Sequence, residues 1–217
     1  MSVQPLEDGR KRLIPPLSDD DVRSLDAGDV VLVRGLVYAA RDAAHRRMEE
    51  MLDAGERLPF DPSGAVIYYV GPTPERPGNV IGAAGPTTAS RMDRYTPRLL
   101  ELGVKGMIGK GGRGQAVREA LVRHNATYLA ALGGGGALAA LAIREQRVIA
   151  FGDLGPEAVR EIVMDDFPAW VVNDCRGRDF YTETIGPWRR DELLPEDLRI
   201  EDAHGRSIHE RGELGGG

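Results

Sequence analysis

The sequence predicts an α/β domain, and three observations support that class. Short β-branched runs alternate along the chain with amphipathic stretches, which is typical of strands alternating with helices. Apolar residues in the amphipathic stretches recur at three- and four-residue spacing, as one face of a helix requires. The length of 217 residues suits one domain with tails, large enough to bury a core without disulfides or metal.

Each predicted strand is a run of about four to seven residues, and most have Gly, Pro or Asp close by. In chain order the predicted strands are 30–33, 65–70, 104–108, 127–132, 147–151 and 169–172. The predicted helices between them are 42–52, 90–102, 115–123, 136–144 and 156–164. Pro97 should kink or split the second helix, whereas Pro156 suits a first helical turn. Residues 57–64 and 72–78 contain prolines and are expected to form surface loops.

Charge and cysteine usage argue against several classes of partner and site. The net charge of -6 comes from 34 acidic and 28 basic residues that are interspersed, so no basic block marks a nucleic-acid or membrane surface. No apolar run approaches the roughly 20 residues that span a bilayer, and the first residues lack the apolar segment of a secretory signal. We therefore expect a cytoplasmic protein. The one cysteine, Cys175, can neither close an internal disulfide nor hold a zinc ion or a metal cluster by itself.

Residues 85–93 (GPTTASRMD) place a turn between the strand-like run 79–84 and an amphipathic helix. A turn at a helix N-terminus presents unpaired backbone N–H groups and a positive dipole end, which suits a carboxylate or phosphate. The spacing also fits a simpler interpretation, in which Thr87 or Thr88 caps the helix and Arg91 lies on a solvated face. The residues alone leave both interpretations open.

Residues 104–114 (VKGMIGKGGRG) form a short apolar strand that runs into a glycine-rich turn and then a helix. Glycines let the backbone approach a ligand closely, and Lys110 supplies a cation at the end of the strand. A flexible turn with a solvated lysine explains the pattern equally well. The segment is not a nucleotide P-loop, because Lys110 is followed by Gly rather than Ser or Thr. The four glycines at 133–136 also lack the spacing of a dinucleotide site.

Residues 38–47 (YAARDAAHRR) follow the first strand and open a helix, with Arg41 at the junction. If the strands are neighbours in one sheet, Arg41 reaches the same cleft as the other two turns. His45 is expected on the helix surface, because nothing nearby in the sequence supplies an orienting carboxylate for a catalytic role. Arg46 and Arg47 are expected on a solvated face.

Several segments occur in the order of one known family. They are ARDAAHRRM at 40–48, YYVGP at 68–72, GPTTASRMD at 85–93, GVKGMIGKGG at 103–112, and DLGPEAV with DDFPAWVVND between 153 and 174. Together they resemble the C-terminal domain of the class I fumarase and L-tartrate dehydratase family. The resemblance implies a three-layer β/β/α swivelling fold, which in that family is either fused behind a cluster-binding domain or forms a separate β subunit.

The resemblance also implies how the chain is divided. An N-terminal extension at 1–16 precedes the fumarase C-terminal-like domain at 17–186, and a polar tail at 187–217 follows it. From Pro187 onward apolar periodicity fades while charge and glycine rise. The tail is therefore expected to lie over the surface or to be disordered.

The resemblance assigns a role to each motif residue. Arg41 and Arg91 are similar to the arginines that grip the substrate carboxylates, for which planar guanidinium groups are well suited. Lys110 resembles the active-site lysine of the family. Thr87 corresponds to the threonine proposed to take a proton from carbon, and its weakly basic hydroxyl needs a cation and a dry cleft to stabilise the alkoxide. The cleft should gather these cations while the acidic residues stay outside.

The implied function is that of a β subunit of an iron–sulfur hydro-lyase, which hydrates fumarate reversibly to malate. A four-iron four-sulfur cluster would be bound by a cluster-binding α subunit and not by this chain, and the two chains would form a hetero-oligomer acting on a small dicarboxylate. Residues 165–174 and 177–181 look more like fumarase than tartrate dehydratase. An L-tartrate dehydratase β subunit remains an alternative. A non-catalytic anion-binding module is a second alternative, against which the intact set of Thr87, Arg91 and Lys110 argues.

Overall fold

The computed structural model describes residues 2–188, and it confirms the α/β class. Within that range the strands are β1 Val3–Pro5, β2 Lys11–Leu13, β3 Val30–Ala39, β4 Val66–Tyr68, β5 Gly106–Gly109, β6 Thr127–Ala130, β7 Ile143–Ala150 and β8 Val159–Asn173. The α-helices are α1 Asp19–Arg23, α2 Asp42–Asp53, α3 Thr96–Glu101, α4 Gln115–Arg123, α5 Gly136–Leu141 and α6 Phe180–Ile185. Three 3₁₀ helices span Ala89–Met92, Gly152–Glu157 and Gly186–Trp188.

Residues up to Tyr181 form one compact unit, and residues from Thr182 onward belong to a second. Of the second unit the structure describes the end of α6 and the 3₁₀ helix Gly186–Trp188. Most of the predicted polar tail lies outside the described residues. Among the described helices, none is both long and apolar enough to cross a membrane.

One eight-stranded sheet, counted over the described residues, organises the first unit in the order β1-β2-β3-β4-β5-β6-β8-β7. Strands β3, β4, β5 and β6 are parallel, so their carboxyl ends meet at one edge. Strand β8 runs antiparallel to both β3 and β6, which closes the pairing β3-β4-β5-β6-β8 into a ring. Strands β1 and β2 extend the sheet beside β3 through residues of the predicted N-terminal extension.

The central strands are buried on both faces, which explains their continuous apolar runs. Alternate residues enter two different cores because side chains along a strand point to opposite faces. Tyr68, Ile108 and Leu129 belong to the core shared with β3 and β8. Their neighbours Ile67, Met107 and Tyr128 belong to the second core, which also contains apolar residues of the helices. The helical contributors include Met48 of α2, Leu99 of α3 and Leu121 of α4. The parallel strands are thereby fixed against helices that begin at their carboxyl ends.

One predicted helix in the C-terminal half was wrong, and another ends earlier than expected. Of the predicted helix 156–164, Pro156 and Glu157 instead end the 3₁₀ helix Gly152–Glu157, and Val159 begins β8, which pairs with β3 and with β7 over this stretch. Long-range pairing along this β-branched run outweighs its weak helical periodicity. The predicted helix 136–144 ends at Leu141, and Ile143 already begins β7. Residues 79–84 form no strand.

The predicted split at Pro97 is confirmed. A 3₁₀ helix, Ala89–Met92, precedes α3, which starts at Thr96 with Pro97 in its first turn. Proline is tolerated there because the first-turn N–H groups have no helical acceptor. The predicted single helix 90–102 is therefore two short helices.

Candidate active site

The motif residues converge at the carboxyl edge of the parallel strands. Arg41 lies two residues beyond β3, Gly71 lies three beyond β4, and Lys110 directly follows β5. This edge is where open α/β sheets commonly bind ligands, since the loops that follow the strands meet there. The structure therefore brings together turns that lie far apart in the sequence.

Thr87 is held between the ends of β4 and β5. Its N–H donates to the Tyr69 carbonyl at 2.7 Å, and its carbonyl accepts from the Lys110 N–H at 3.1 Å. The Lys110 carbonyl in turn accepts from the Ala89 N–H at 2.8 Å. Thr87 is half-buried, whereas Thr88 and Lys110 are exposed. The backbone thus fixes the proposed proton acceptor beside the proposed cation.

The capping prediction for this segment was wrong. Thr88 precedes the 3₁₀ helix, but its side chain makes no capping hydrogen bond. The helix that follows has four residues, Ala89–Met92, instead of the long helix expected from the sequence. So short a helix has little dipole to attract an anion.

A single carboxylate joins the two arginines. Arg41 Nε lies 3.2 Å from Asp42 Oδ2, and Arg91 Nε lies 2.6 Å from Asp42 Oδ1. Partial burial works to raise the pKa of Asp42, but its own backbone amide and the two guanidinium groups outweigh this and leave the pKa lowered. Glu157 adds a second carboxylate 3.6 Å from Arg41 Nε, and it also accepts the Ala43 N–H at 2.8 Å. The expectation that acidic residues stay outside the cleft was therefore wrong.

In both arginines the contact with Asp42 is made by Nε. The side chain of Arg91 is 52% exposed, while that of Arg41 is 21% exposed. Arg41 passes directly over Gly71, where an added Cβ would lie 2.9 Å from both Cδ and Nη1 of Arg41. The absence of a side chain at Gly71 thus leaves the space that the Arg41 side chain occupies.

An apolar cavity of about 380 Å³ opens beside Lys110. Its other walls are formed by apolar and aromatic side chains, including Leu132, Trp170 and Tyr181. Lys110 lines this cavity and is also exposed to solvent.

His45 is buried, with 1% of its surface exposed, so its predicted surface position was wrong. It lies on α2 one turn after Arg41, packed against the rings of Tyr69 and Tyr95 at 5.4 and 5.9 Å. Its Nδ1 lies 3.0 Å from the Arg41 carbonyl and must donate the proton, because a carbonyl only accepts. Burial lowers the pKa of His45 from 6.5 to about 4, and the Arg113 charge adds to this while the hydrogen bond to Arg41 opposes it.

Two further residues beside the site were not predicted as functional. Arg113 follows the glycine turn and is buried, and its Nε donates to Asp93 Oδ1 at 2.7 Å. Asp93 belongs to the segment 85–93 and Arg113 to the segment 104–114, and membership of these motifs was the sequence signal that could have indicated a functional role. The two residues are 20 positions apart in the sequence. A local pattern does not reveal such a contact.

The described residues offer no metal site of their own. Among residues 2–188, no group of three His, Cys, Asp or Glu side chains is arranged to hold a metal ion. Cys175 is buried beside the Val22 carbonyl, and burial raises the pKa of its thiol, which disfavours the thiolate that metals bind.

Comparison with known proteins agrees with the resemblance found in the sequence. The family model described as "Fumarase C-terminus" matches residues 9–184. "Fumarate hydratase 2" of Leishmania major is 39% identical over 160 residues, which cover 73% of this chain and 28% of that protein. "Fumarate hydratase class I, anaerobic" of Escherichia coli (strain K12) is 39% identical over 153 residues, covering 70% of this chain and 28% of that protein.

A shorter relative matches over nearly its whole length. "Putative L(+)-tartrate dehydratase subunit beta" of Methanocaldococcus jannaschii is 36% identical over 173 residues, covering 77% of this chain and 89% of that protein. The chain therefore spans little more than a quarter of the two fumarate hydratases above and most of this subunit. With the family model matching residues 9–184, the chain belongs to the fumarase C-terminal domain family.

Proposed function

We propose that this chain is the β subunit of an iron–sulfur-dependent hydro-lyase that hydrates fumarate reversibly to malate together with a cluster-bearing α subunit. The observation that carries the proposal is the placement of Arg41, Thr87, Arg91 and Lys110 around one edge of the parallel strands. The names of the fumarate hydratase relatives support the same reaction. The three-layer swivelling arrangement of that family is part of the proposal, and the closed ring of strands beside the helices is compatible with it.

A four-carbon dicarboxylate requires cations at two ends. The guanidinium groups of Arg41 and Arg91 both contact one carboxylate, that of Asp42, so they can also share a substrate carboxylate. Lys110 follows β5, which is separated from β3 by β4 in the sheet, and it supplies a cation for the other carboxylate. Planar guanidinium groups hold a carboxylate with two parallel hydrogen bonds, which fixes the orientation of the substrate as well as binding it.

In this proposal Thr87 accepts the proton from the substrate carbon during dehydration. A hydroxyl can do this only if its negative form, the alkoxide, is stabilised. The backbone hydrogen bond from the Lys110 N–H to the Thr87 carbonyl keeps Lys110 next to Thr87. Arg91 lies four residues further along the chain and adds a second positive charge. Preorganised charges of this kind lower a barrier because they need no reorganisation as the proton moves.

We place the iron–sulfur cluster on the α subunit. The described residues do not fit a cluster, since Cys175 is buried and no group of three potential ligands is present among them. The Methanocaldococcus jannaschii relative is named as a subunit beta, which supports a hetero-oligomer. This chain would then contribute carboxylate binding and proton transfer.

An L-tartrate dehydratase β subunit is the second candidate function. It is favoured by the match over 89% of the Methanocaldococcus jannaschii protein, whose length resembles that of this chain. Tartrate carries a second hydroxyl that fumarate and malate lack. Protein side chains that bind this second hydroxyl group would therefore favour tartrate over fumarate and malate.

The test is an anaerobic assay of the co-purified α and β chains with fumarate, malate and both enantiomers of tartrate. Turnover of fumarate and malate supports the first function, and turnover of one tartrate enantiomer alone supports the second. The chain purified alone should contain no stoichiometric iron or sulfide after anaerobic reconstitution, and it should show no turnover. A stoichiometric cluster with turnover in the lone chain would refute the division of labour between the subunits.

A further inference from the structure

Arg113 is a buried cation at the end of the turn that carries Lys110. Its side chain has no solvent exposure, although arginine is rarely buried without partners. Its guanidinium lies between two tyrosine rings, with Cζ 5.4 Å from the Tyr69 centroid and 5.0 Å from the Tyr128 centroid. Such stacking is favourable to a cation that has lost its water.

The hydrogen bonds of Arg113 reach three different elements. Nε donates to Asp93 Oδ1 at 2.7 Å, Nη2 donates to Thr96 Oγ1 at 2.6 Å, and Nη1 donates to the Tyr69 hydroxyl at 3.3 Å. Tyr69 follows β4, Asp93 follows the 3₁₀ helix and Thr96 begins α3. The flat fork of the guanidinium is suited to serve several acceptors at once, whereas an ammonium is a single point charge.

Asp93 also contacts the backbone at the end of the glycine turn. Its second oxygen accepts the Gly114 N–H at 2.7 Å, so one carboxylate holds both the side chain of Arg113 and the next backbone amide. Asp93 lies two residues after Arg91. The segment bearing Thr87 and Arg91 is therefore tied to the turn at its far end as well as at Lys110.

Open space surrounds the glycines in the middle of the turn, so few contacts hold it in place. Gly111 has φ +78°, and a Cβ added at Gly111 or Gly112 would meet nothing within 4 Å. The Tyr128 hydroxyl donates to the Gly111 carbonyl at 2.8 Å, and Tyr128 itself packs under the Arg113 guanidinium. Arg113 thus contacts the aromatic ring of Tyr128, whose hydroxyl group holds the Gly111 carbonyl of the turn.

We propose that Arg113 is a positioning residue that holds the Lys110 turn and the Thr87–Arg91 segment in one fixed geometry. The inference rests on the proposed hydro-lyase function for its catalytic consequence, while its structural content stands on the contacts alone. A displacement of about 1 Å in a group that binds or reacts can lower a rate about 100-fold. Loss of Arg113 is therefore expected to lower kcat by on the order of 10- to 100-fold in the assembled complex.

The variants are Arg113→Met, which removes the charge, and Arg113→Lys, which keeps it without the fork. Arg113→Lys should recover only part of kcat, because an ammonium cannot serve Asp93, Thr96 and Tyr69 in the same geometry. Arg98→Met is the matched control, since Arg98 links α3 to Glu49 and Asp53 of α2 away from the turn. Its kcat and KM should stay within about twofold of wild type at a temperature where the protein is folded.

Amide hydrogen exchange supplies a readout that does not depend on turnover. The Lys110 and Gly114 amides, which donate to Thr87 and Asp93, should exchange at least about tenfold faster in Arg113→Met than in wild type or Arg98→Met. If the wild-type complex shows no hydro-lyase activity, the proposed function fails and the exchange comparison alone decides the role of Arg113. If Arg113→Met does not fold, Arg113→Lys carries the same comparison. Unchanged exchange at both amides, or wild-type kcat and KM in an active variant complex, would overturn the proposal.

Discussion

The burial of His45 predicts a specific loss of stability in mild acid. His45 is 1% exposed, and its Nε2 has no hydrogen-bond partner among the described residues. Its pKa is lowered from 6.5 to about 4, chiefly by burial. The folded chain therefore keeps His45 neutral at a pH where the unfolded chain protonates it. Since the unfolded state then binds more protons, stability must fall as the pH falls from 6.5 towards 4.

The magnitude follows from the two pKa values. Between about pH 7 and about pH 5 the unfolded histidine gains nearly a full proton that the folded one does not, which costs about 2 kcal/mol of unfolding free energy. Carboxylates contribute little in this window, because those with a lowered pKa, such as Asp21 at about 2, remain ionised in both states. His45→Gln should abolish most of this slope, since glutamine does not titrate. It can still donate a hydrogen bond to the Arg41 carbonyl.

The assay is urea unfolding of wild type, His45→Gln and His124→Gln at three pH values across this window. His124 caps the C-terminus of α4 and is half-buried, so it serves as the matched histidine control. Wild type and His124→Gln should lose about 2 kcal/mol in parallel, while His45→Gln should stay nearly level. An equal pH dependence in His45→Gln and wild type would refute the reasoning, since another group would then cause the loss.

The remaining predictions concern steady-state kinetics of the assembled complex. Gly71→Ala should raise KM on the order of tenfold with little change in melting temperature, because the new Cβ would displace the flexible Arg41 side chain. An unchanged KM would show that Arg41 does not bind substrate from its present position. Arg41→Lys and Arg91→Lys should each cost about 1.5 to 3 kcal/mol in kcat/KM, the scale of a charge-assisted hydrogen bond, and wild-type kcat/KM in both would remove the clamp assignment. Thr87→Ala should lower kcat about 100- to 10,000-fold with KM little changed. Thr88→Ala should change kcat and KM little, because the Thr88 side chain makes no capping hydrogen bond. A kcat of Thr87→Ala within about threefold of wild type would exclude the proton-transfer role of Thr87.

The helices beside the site could be predicted because local and tertiary signals agree there. Helix α4 has the predicted bounds, and its apolar residues Val117 and Leu121 are buried at one-turn spacing. Helix α2 starts at the predicted Asp42 and buries Ala44 and Met48 in the same way. In both cases one amphipathic stretch meets one apolar core, so periodicity alone specifies the element.

Strand β8 could not be predicted from its first half for the opposite reason. Its buried residues Val159, Ile162 and Met164 are spaced by three and then by two, which suits neither a clean helix nor a clean strand. Pairing with β3, more than a hundred residues earlier, decides the conformation. The same limit applies to His45, whose burial depends on Tyr69 and Tyr95 from two other elements.

The position of Asp42 also bears on the proposed binding of a dianion by a chain of net charge -6. Two guanidinium groups close together repel each other, and a carboxylate between them removes that cost before any substrate arrives. The side chain of Arg91 remains 52% exposed while it contacts Asp42, so a carboxylate of the proposed substrate can reach it from solvent. An internal acid beside the site is then compatible with dicarboxylate binding. Asp42 restrains the two arginines, so that less side-chain freedom remains to be lost if they bind a carboxylate as proposed.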